Sequence, residues 1–210
     1  VRKRTILYAG LPFSIALGFL IARGLVAFDF GQVFRGNPEP QANENSETLP
    51  GQEWVAGSEG KFAYLSKQKS SFCGLQPEAV DDLSADWRLQ GSCCTPMDLH
   101  RYQEQVQALK KYSNLPQVPE DPYDVSVALA QELLGYGRTI VLTEEQQETY
   151  DRAMQLSDEG GPCCCPCWRW YAFEGQAKYL ITGQGWTAGP IADLWELEDG
   201  CGGDDHVHGS

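Results

Sequence analysis

Cys163, Cys164, Cys165 and Cys167 crowd into one short run, Gly-Gly-Pro-Cys-Cys-Cys-Pro-Cys-Trp, and Cys93 and Cys94 form a second cluster. Cys73 and Cys201 stand apart and complete a set of 8 cysteines. Thiolate sulfur binds soft metal ions and attacks disulfides. Both clusters read as lying at or just before a helix N-terminus, where backbone N–H groups and the helix dipole lower a thiol's pKa. Cys164 and Cys167 have the C-x-x-C spacing that lets two sulfurs clasp one ion. Sequence neighbours such as Cys93 and Cys94 sit too close along the backbone to bridge readily to each other. Metal binding is therefore the first expectation, with Cys93, Cys94, Met97, His100, Cys163, Cys164, Cys165 and Cys167 as ligands. On a helix expected from Thr95, Cys93 and Met97 are i and i+4, and Met97 and His100 are i and i+3, so one face would offer two sulfurs and a nitrogen. Cys73, Cys201, His206 and His208 are accessory candidates for metal or disulfide. Soft sulfur donors favour copper, with zinc second.

Each of these residues also has a plainer role open to it. Met97 fills a core as readily as it binds copper, His100 suits a half-buried helix face, and His206 and His208 suit a solvated tail. Eight is an even number, so the cysteines could form a disulfide framework, for which 105 pairings exist. Such a framework usually spreads its cysteines to close loops, whereas six of these lie in two clusters. A third alternative is a thiol–disulfide relay at Cys164-Cys165-Pro166-Cys167, the first thiolate attacking and the second resolving. Thioredoxin-like enzymes place that chemistry after a core strand, and no strand is predicted before Cys164. No catalytic residue is assigned, since neither a phosphate loop nor a dinucleotide fingerprint occurs. His100 is the one histidine outside the tail, so no Ser/His/Asp set is suggested.

The run Pro162-Cys163-Cys164-Cys165-Pro166-Cys167 resembles the motif of the PCYCGC-motif family of extracytoplasmic, cysteine-rich bacterial proteins. Pro162 and the alternating Cys163, Cys165 and Cys167 match, while Cys164 stands in place of Tyr and Pro166 in place of Gly. The resemblance implies that these three cysteines act together. It covers six residues, and the histidine that tends to follow that motif is replaced by Trp168-Arg169-Trp170-Tyr171.

The elements that must position these residues are mainly helical. A helix is expected from Thr95, with Asp98 completing a capping-box-like start, through Tyr112. A second opens at Asp121-Pro122, carries Val125 to Leu133 and stops at Gly135 and Gly137. Thr143 and Gln146 form a capping box for a third, through Met154. A fourth runs from Cys165 to Ile181 and closes at Gly183 and Gly185, and a short fifth spans Pro190 to Leu197. The fourth helix is aromatic on two faces (Trp168, Trp170, Tyr171, Phe173, Tyr179), which predicts a central place in the bundle or a shell around the thiols. Residues 138–142 are the one strand-like stretch.

The 210 residues carry 16 Lys+Arg against 29 Asp+Glu, a net charge of −13. Arg2, Lys3, Arg4 and Arg23 precede residue 25; without those four, 12 basic residues face 29 acidic ones, a charge of −17. So acidic a surface repels phosphates and argues against nucleic acid as a partner. Residues 6–28 are apolar except for Ser14 and Arg23, and as a helix would span about 35 Å, enough to cross a hydrocarbon core. The basic residues before it place the N-terminus in the cytoplasm and the rest outside, at the cell membrane or periplasm. A cleaved signal peptide would have a shorter core and a small-residue exit site. The expected organisation is a signal-anchor at 1–28, a flexible Pro/Asn/Glu-rich stalk at 29–60, a compact domain of about five helices at 61–200, and a Cys/His/Asp tail at 201–210. The function that follows is capture, storage or delivery of soft metal ions beside a membrane-protein partner. The alternative from another class is a disulfide-stapled accessory subunit of a membrane complex.

Overall fold

The structure is a computed structural model describing residues 55–203. The apolar run at 6–28, most of the expected stalk, His206 and His208 lie outside the described residues. Among the described residues no helix is long and apolar enough to cross a membrane.

The described region is mainly helical, with α1 Glu59–Leu65, α2 Pro77–Asp81, α3 Leu99–Leu109, α4 Val127–Thr139, α5 Glu144–Leu156, α6 Trp168–Gln184 and α7 Ala188–Glu198. Most of the helix starts are chemically marked. Ser58, Asp98 and Ser126 each accept a hydrogen bond from the backbone N–H three residues on, capping α1, α3 and α4. Thr143 and Gln146 form the full reciprocal capping box of α5. Gly185, with φ of 68°, ends α6 in the left-handed conformation.

A two-stranded antiparallel sheet pairs β1 Arg88–Gln90 with β2 Asp124–Ser126, Leu89 opposite Val125. Asp124 is buried at its end and accepts from Lys61, Arg88 and Gln90, so one carboxylate ties α1, β1 and β2 together. Burial alone would raise its pKa, but the hydrogen bonds from Arg88 and Lys61 hold it below the usual carboxylate range.

The centre of the molecule is α6. Trp168, Arg169, Ala172, Phe173, Gly175, Gln176, Ala177, Leu180 and Ile181 are all buried, as expected of a helix apolar on more than one face. It packs closely on α4, where Gly137 and Gly175 face each other. A Cβ at Gly175 would fall inside the Leu133 carbonyl, so only hydrogen fits at that approach. Tyr136 stacks on Tyr179 across the same pair at 4.8 Å. On the other side α7 closes the core, Trp195 donating to the Phe173 carbonyl and meeting Tyr150 of α5 edge-on. A smaller core of Leu65, Met97, Tyr102, Val106 and Tyr123 joins α1 to α3.

Several expected boundaries move. The helix expected from Thr95 begins at Leu99, because Asp98 rather than Thr95 supplies the capping oxygen. Asp121-Pro122 does not open a helix; Asp124–Ser126 extend as β2, and α4 starts at Val127. Gly135 and Gly137 lie within α4, since Gly137 is needed against Gly175. Residues 138–142 form no strand; they hold the end of α4 and the extended link to α5. The fourth expected helix begins at Trp168, so Cys165 stays outside it. Two short helices, α1 and α2, were not expected; the first starts inside the segment read as stalk.

Candidate metal centre

Four stretches of chain converge ahead of α6. The 93–95 loop lies on the 200–201 segment: Cys93 N–H donates to the Gly200 carbonyl at 3.0 Å, and Cys94 and Thr95 N–H donate to that of Cys201 at 3.3 and 2.8 Å. Gly202, at φ 126°, makes this contact possible, because a Cβ there would collide with Thr95. Trp168 N–H donates to the Leu75 carbonyl at 2.8 Å, which joins the start of α6 to the stretch that follows Cys73. Cys167 is the N-cap residue of α6. The sheet aims the approach, since β1 runs directly into Gly91 and the 93–95 loop.

This convergence gathers all eight cysteines, none of them in a disulfide. Cys73 and Cys94 have their sulfurs 2.7 Å apart, Cys164 and Cys201 2.9 Å, and Cys94 and Cys164 3.5 Å. Cys93 lies 3.6 Å from Cys94 and 3.7 Å from Cys201, and Cys163 is 3.7 Å from Cys201. Four groups of three sulfurs, mutually within 4.8 Å, have metal-holding geometry: 73/93/94, 93/163/201, 94/164/201 and 163/164/165. Cys93, Cys94, Cys163, Cys164 and Cys201 each belong to two groups, so the groups are linked through shared sulfurs.

Cys163 is the electrostatic focus. Hydrogen bonds from Cys164, Cys167, Cys201 and Cys93 hold it as thiolate far below the ordinary thiol range, against the opposing effect of burial. The cost falls on its neighbours. Cys201, Cys164 and Cys167 are pushed up, first because each shares a proton with Cys163. Cys73 is pushed up to about 12, chiefly by burial and then by the nearby sulfurs. One negative charge therefore suppresses the next. Ionising the remaining thiols requires added positive charge, which a bound cation supplies.

The other expected ligands lie elsewhere. Met97 is in the loop before α3 and packs in the smaller core, so it shares no helical face with Cys93. His100 is largely exposed and pairs with Glu104 one turn on, at 3.2 Å. Neither belongs to a metal-holding group, and nor does Cys167, so no group contains the expected Cys164–Cys167 clasp. Cys201 is buried and shared by two groups, and Cys73 joins one, although the sequence suggested only accessory places for them. Arg169, fully buried beside the sulfurs, went unremarked in the sequence. Its signal was a lone charge in the run Trp-Arg-Trp-Tyr-Ala-Phe that opens the helix.

The chain matches no family model, no curated protein and no solved structure.

Proposed function

We propose that seven of the gathered cysteines, all but Cys167, bind several soft metal ions as one polynuclear thiolate cluster, for capture, storage or delivery. The linkage of four three-sulfur groups through five shared cysteines carries this reading. A thiolate sulfur, with three lone pairs, can bridge two ions, and adjacent sulfur triads that share members suit a cluster better than separate mononuclear sites. Copper(I) is the favoured ion. Every group offers three sulfurs and none offers four, whereas structural zinc sites are four-coordinate. Zinc is second. Cys94 and Cys164 face solvent, and an ion enters and leaves there by exchange of one thiolate ligand at a time.

Residues 6–28 are proposed to tether the chain to a membrane, N-terminus in the cytoplasm, with the centre on the outer side. The apolar length of that run and the basic residues before it support this reading. The acidic remainder would steer a basic membrane-protein partner or a cation towards it.

The direct test is elemental analysis with thiol counting on the full chain, purified without oxygen or added chelator and then exposed to copper(I) or zinc(II). More than one ion per chain, lost when Cys163 and Cys201 are both replaced by Ser, is the expected result. Zero free thiols after denaturation, with no bound ion, would replace this reading by the disulfide-stapled subunit. Turnover of a dithiol substrate that depends on Cys164 and Cys167, without bound metal, would favour the oxidoreductase.

A further inference from the structure

Arg169 is fully buried, and among the described residues it pairs with no carboxylate. Its Nη1 and Nη2 donate to the backbone carbonyls of Glu198 and Pro122, at 3.3 and 2.7 Å, and its Nε has no acceptor. A guanidinium withdrawn from water needs an anion, and two carbonyl dipoles do not replace one. Glu198 offers the guanidinium its backbone carbonyl and makes no ion pair with it. Its carboxyl is itself fully buried, accepts from Gln176 and leaves Oε2 without a partner. Burial pushes that carboxyl's pKa up to about 8, against the hydrogen bond from Gln176 and the charge of Arg169.

The guanidinium carbon lies 4.9 Å over the Trp168 ring and 5.7 Å over that of Phe173. Those ring faces attract a cation but carry no net charge, so sulfur is what remains to supply an anion. A Cβ on Gly200 would strike it, so it lies directly against the Gly200-Cys201 segment. The backbone N–H of Arg169 points at the Cys167 sulfur, and negative charge on Cys93, Cys163, Cys201 or Cys167 would be felt at the guanidinium. A disulfide knot or a neutral thiol cluster would leave this cation with carbonyls and ring faces but no anion.

We infer that Arg169 is the counter-cation of the sulfur centre, a positioning residue that favours a loaded cluster carrying net negative charge. The inference rests on the metal-thiolate reading above and deepens it: the thiolates outnumber the positive charge of the ions they hold. Each thiol that binds loses its proton to solvent as the S–H bond gives way to a sulfur–metal bond. Four monovalent ions in the four groups would face seven thiolates. The buried guanidinium offsets part of the excess. Monovalent soft ions are accordingly favoured over divalent ones, which need no such help.

Native mass spectrometry of the full chain in detergent, loaded with copper(I), reads this balance directly, because each displaced proton lowers the mass of the complex. The protons lost are expected to exceed the total positive charge of the bound ions. Equal or fewer would overturn the inference while leaving the metal reading intact; no bound ion at all would defeat the metal reading first. Arg169→Gln keeps an amide donor for the Pro122 carbonyl but removes the charge, and Arg169→Lys keeps the charge. Against a competing chelator, R169Q should hold copper(I) about 10–100-fold more weakly than the wild type, the range for loss of a partner behind a metal ligand. R169K should recover most of that loss. The zinc(II) affinity of R169Q should fall less, shifting selectivity towards the divalent ion. Equal losses for both ions, or equal losses in R169Q and R169K, would mark Arg169 as structural only. Should R169Q fail to fold, the proton count on the wild type still decides.

Discussion

The sulfur centre has an inner wall and an outer rim. Cys163, Cys167 and Cys201 are buried, held by the start of α6 and by the hydrogen-bonded 93–95 and 200–201 segments. Cys94 and Cys164 are exposed and share linked groups with Cys163 and Cys201. The wall faces Arg169, a fixed charge in a medium with little water, whereas the rim faces solvent that screens and exchanges. Under the proposed metal-thiolate reading, one cluster would combine retention with access: tight sulfurs where the dielectric is low, exchangeable ones where water reaches.

That contrast can be broken by experiment. The largest effect is expected from Cys201→Ser, which removes a buried sulfur shared by two groups. Ion retention against a chelator should fall by more than the ~10–100-fold typical of losing a residue behind the ligands. Retention within tenfold of the wild type would mean that wall and rim do not differ. Asp124→Asn comes next, since it removes the anion that joins Lys61, Arg88 and Gln90 and so holds β1 on its course to the 93–95 loop. Chemical denaturation should show a loss of about 3 kcal/mol, the lower end for breaking a buried ion pair. Because the folded pKa of Asp124 is depressed, its contribution is present above the unfolded carboxylate pKa and disappears as pH falls through the folded one.

Cys94→Ser should act on rate more than on capacity. The ion count stays near that of the wild type, while transfer to a chelator, followed by stopped flow, changes severalfold. If the count fell as far as in C201S, Cys94 would belong with the wall. Glu198→Gln probes the polar shell behind the wall through pH. The folded pKa of Glu198 is raised, so its favourable contribution is complete below about 4.5, its ordinary value, and is lost as pH rises through about 8. Thermal melts of E198Q should therefore lack the decline that the wild type shows across that window; parallel curves would mean that Glu198 is charged. The smallest effect is expected from His100→Ala, whose exposed pairing with Glu104 contributes little. Ion count and affinity should be unchanged by elemental analysis, and a clear loss would return His100 to the ligand set.

Much of the local structure was legible in the chain. The Thr143/Gln146 box starts α5 as read, Gly185 ends α6, and the aromatic run from Trp168 marks the central helix. The errors share a cause. Gly137 read as a helix stop because its intrinsic propensity is poor, but in α4 the absent Cβ lets Gly175 approach, a tertiary need that outweighs propensity. Asp124-Val125-Ser126 read as helix because its partner strand, Arg88–Gln90, lies far away in sequence. Met97 and His100 seemed to share a face with Cys93 only because the helix was begun four residues early; from Leu99 onward that face does not exist.

The sequence by itself determined that the chain is rich in clustered cysteines, that the fold would be helical and that its net charge is acidic. Residue type, periodicity and charge are local properties and need no partner to be read. Tertiary structure decided that Cys73 and Cys201 join the two clusters as full members, that Met97 belongs to a core, and that one buried arginine stands against the sulfurs. Those outcomes depend on contacts between segments up to 108 residues apart, such as Cys93 with Cys201, and on which groups lose their water together. Neither is written in any single stretch of the chain.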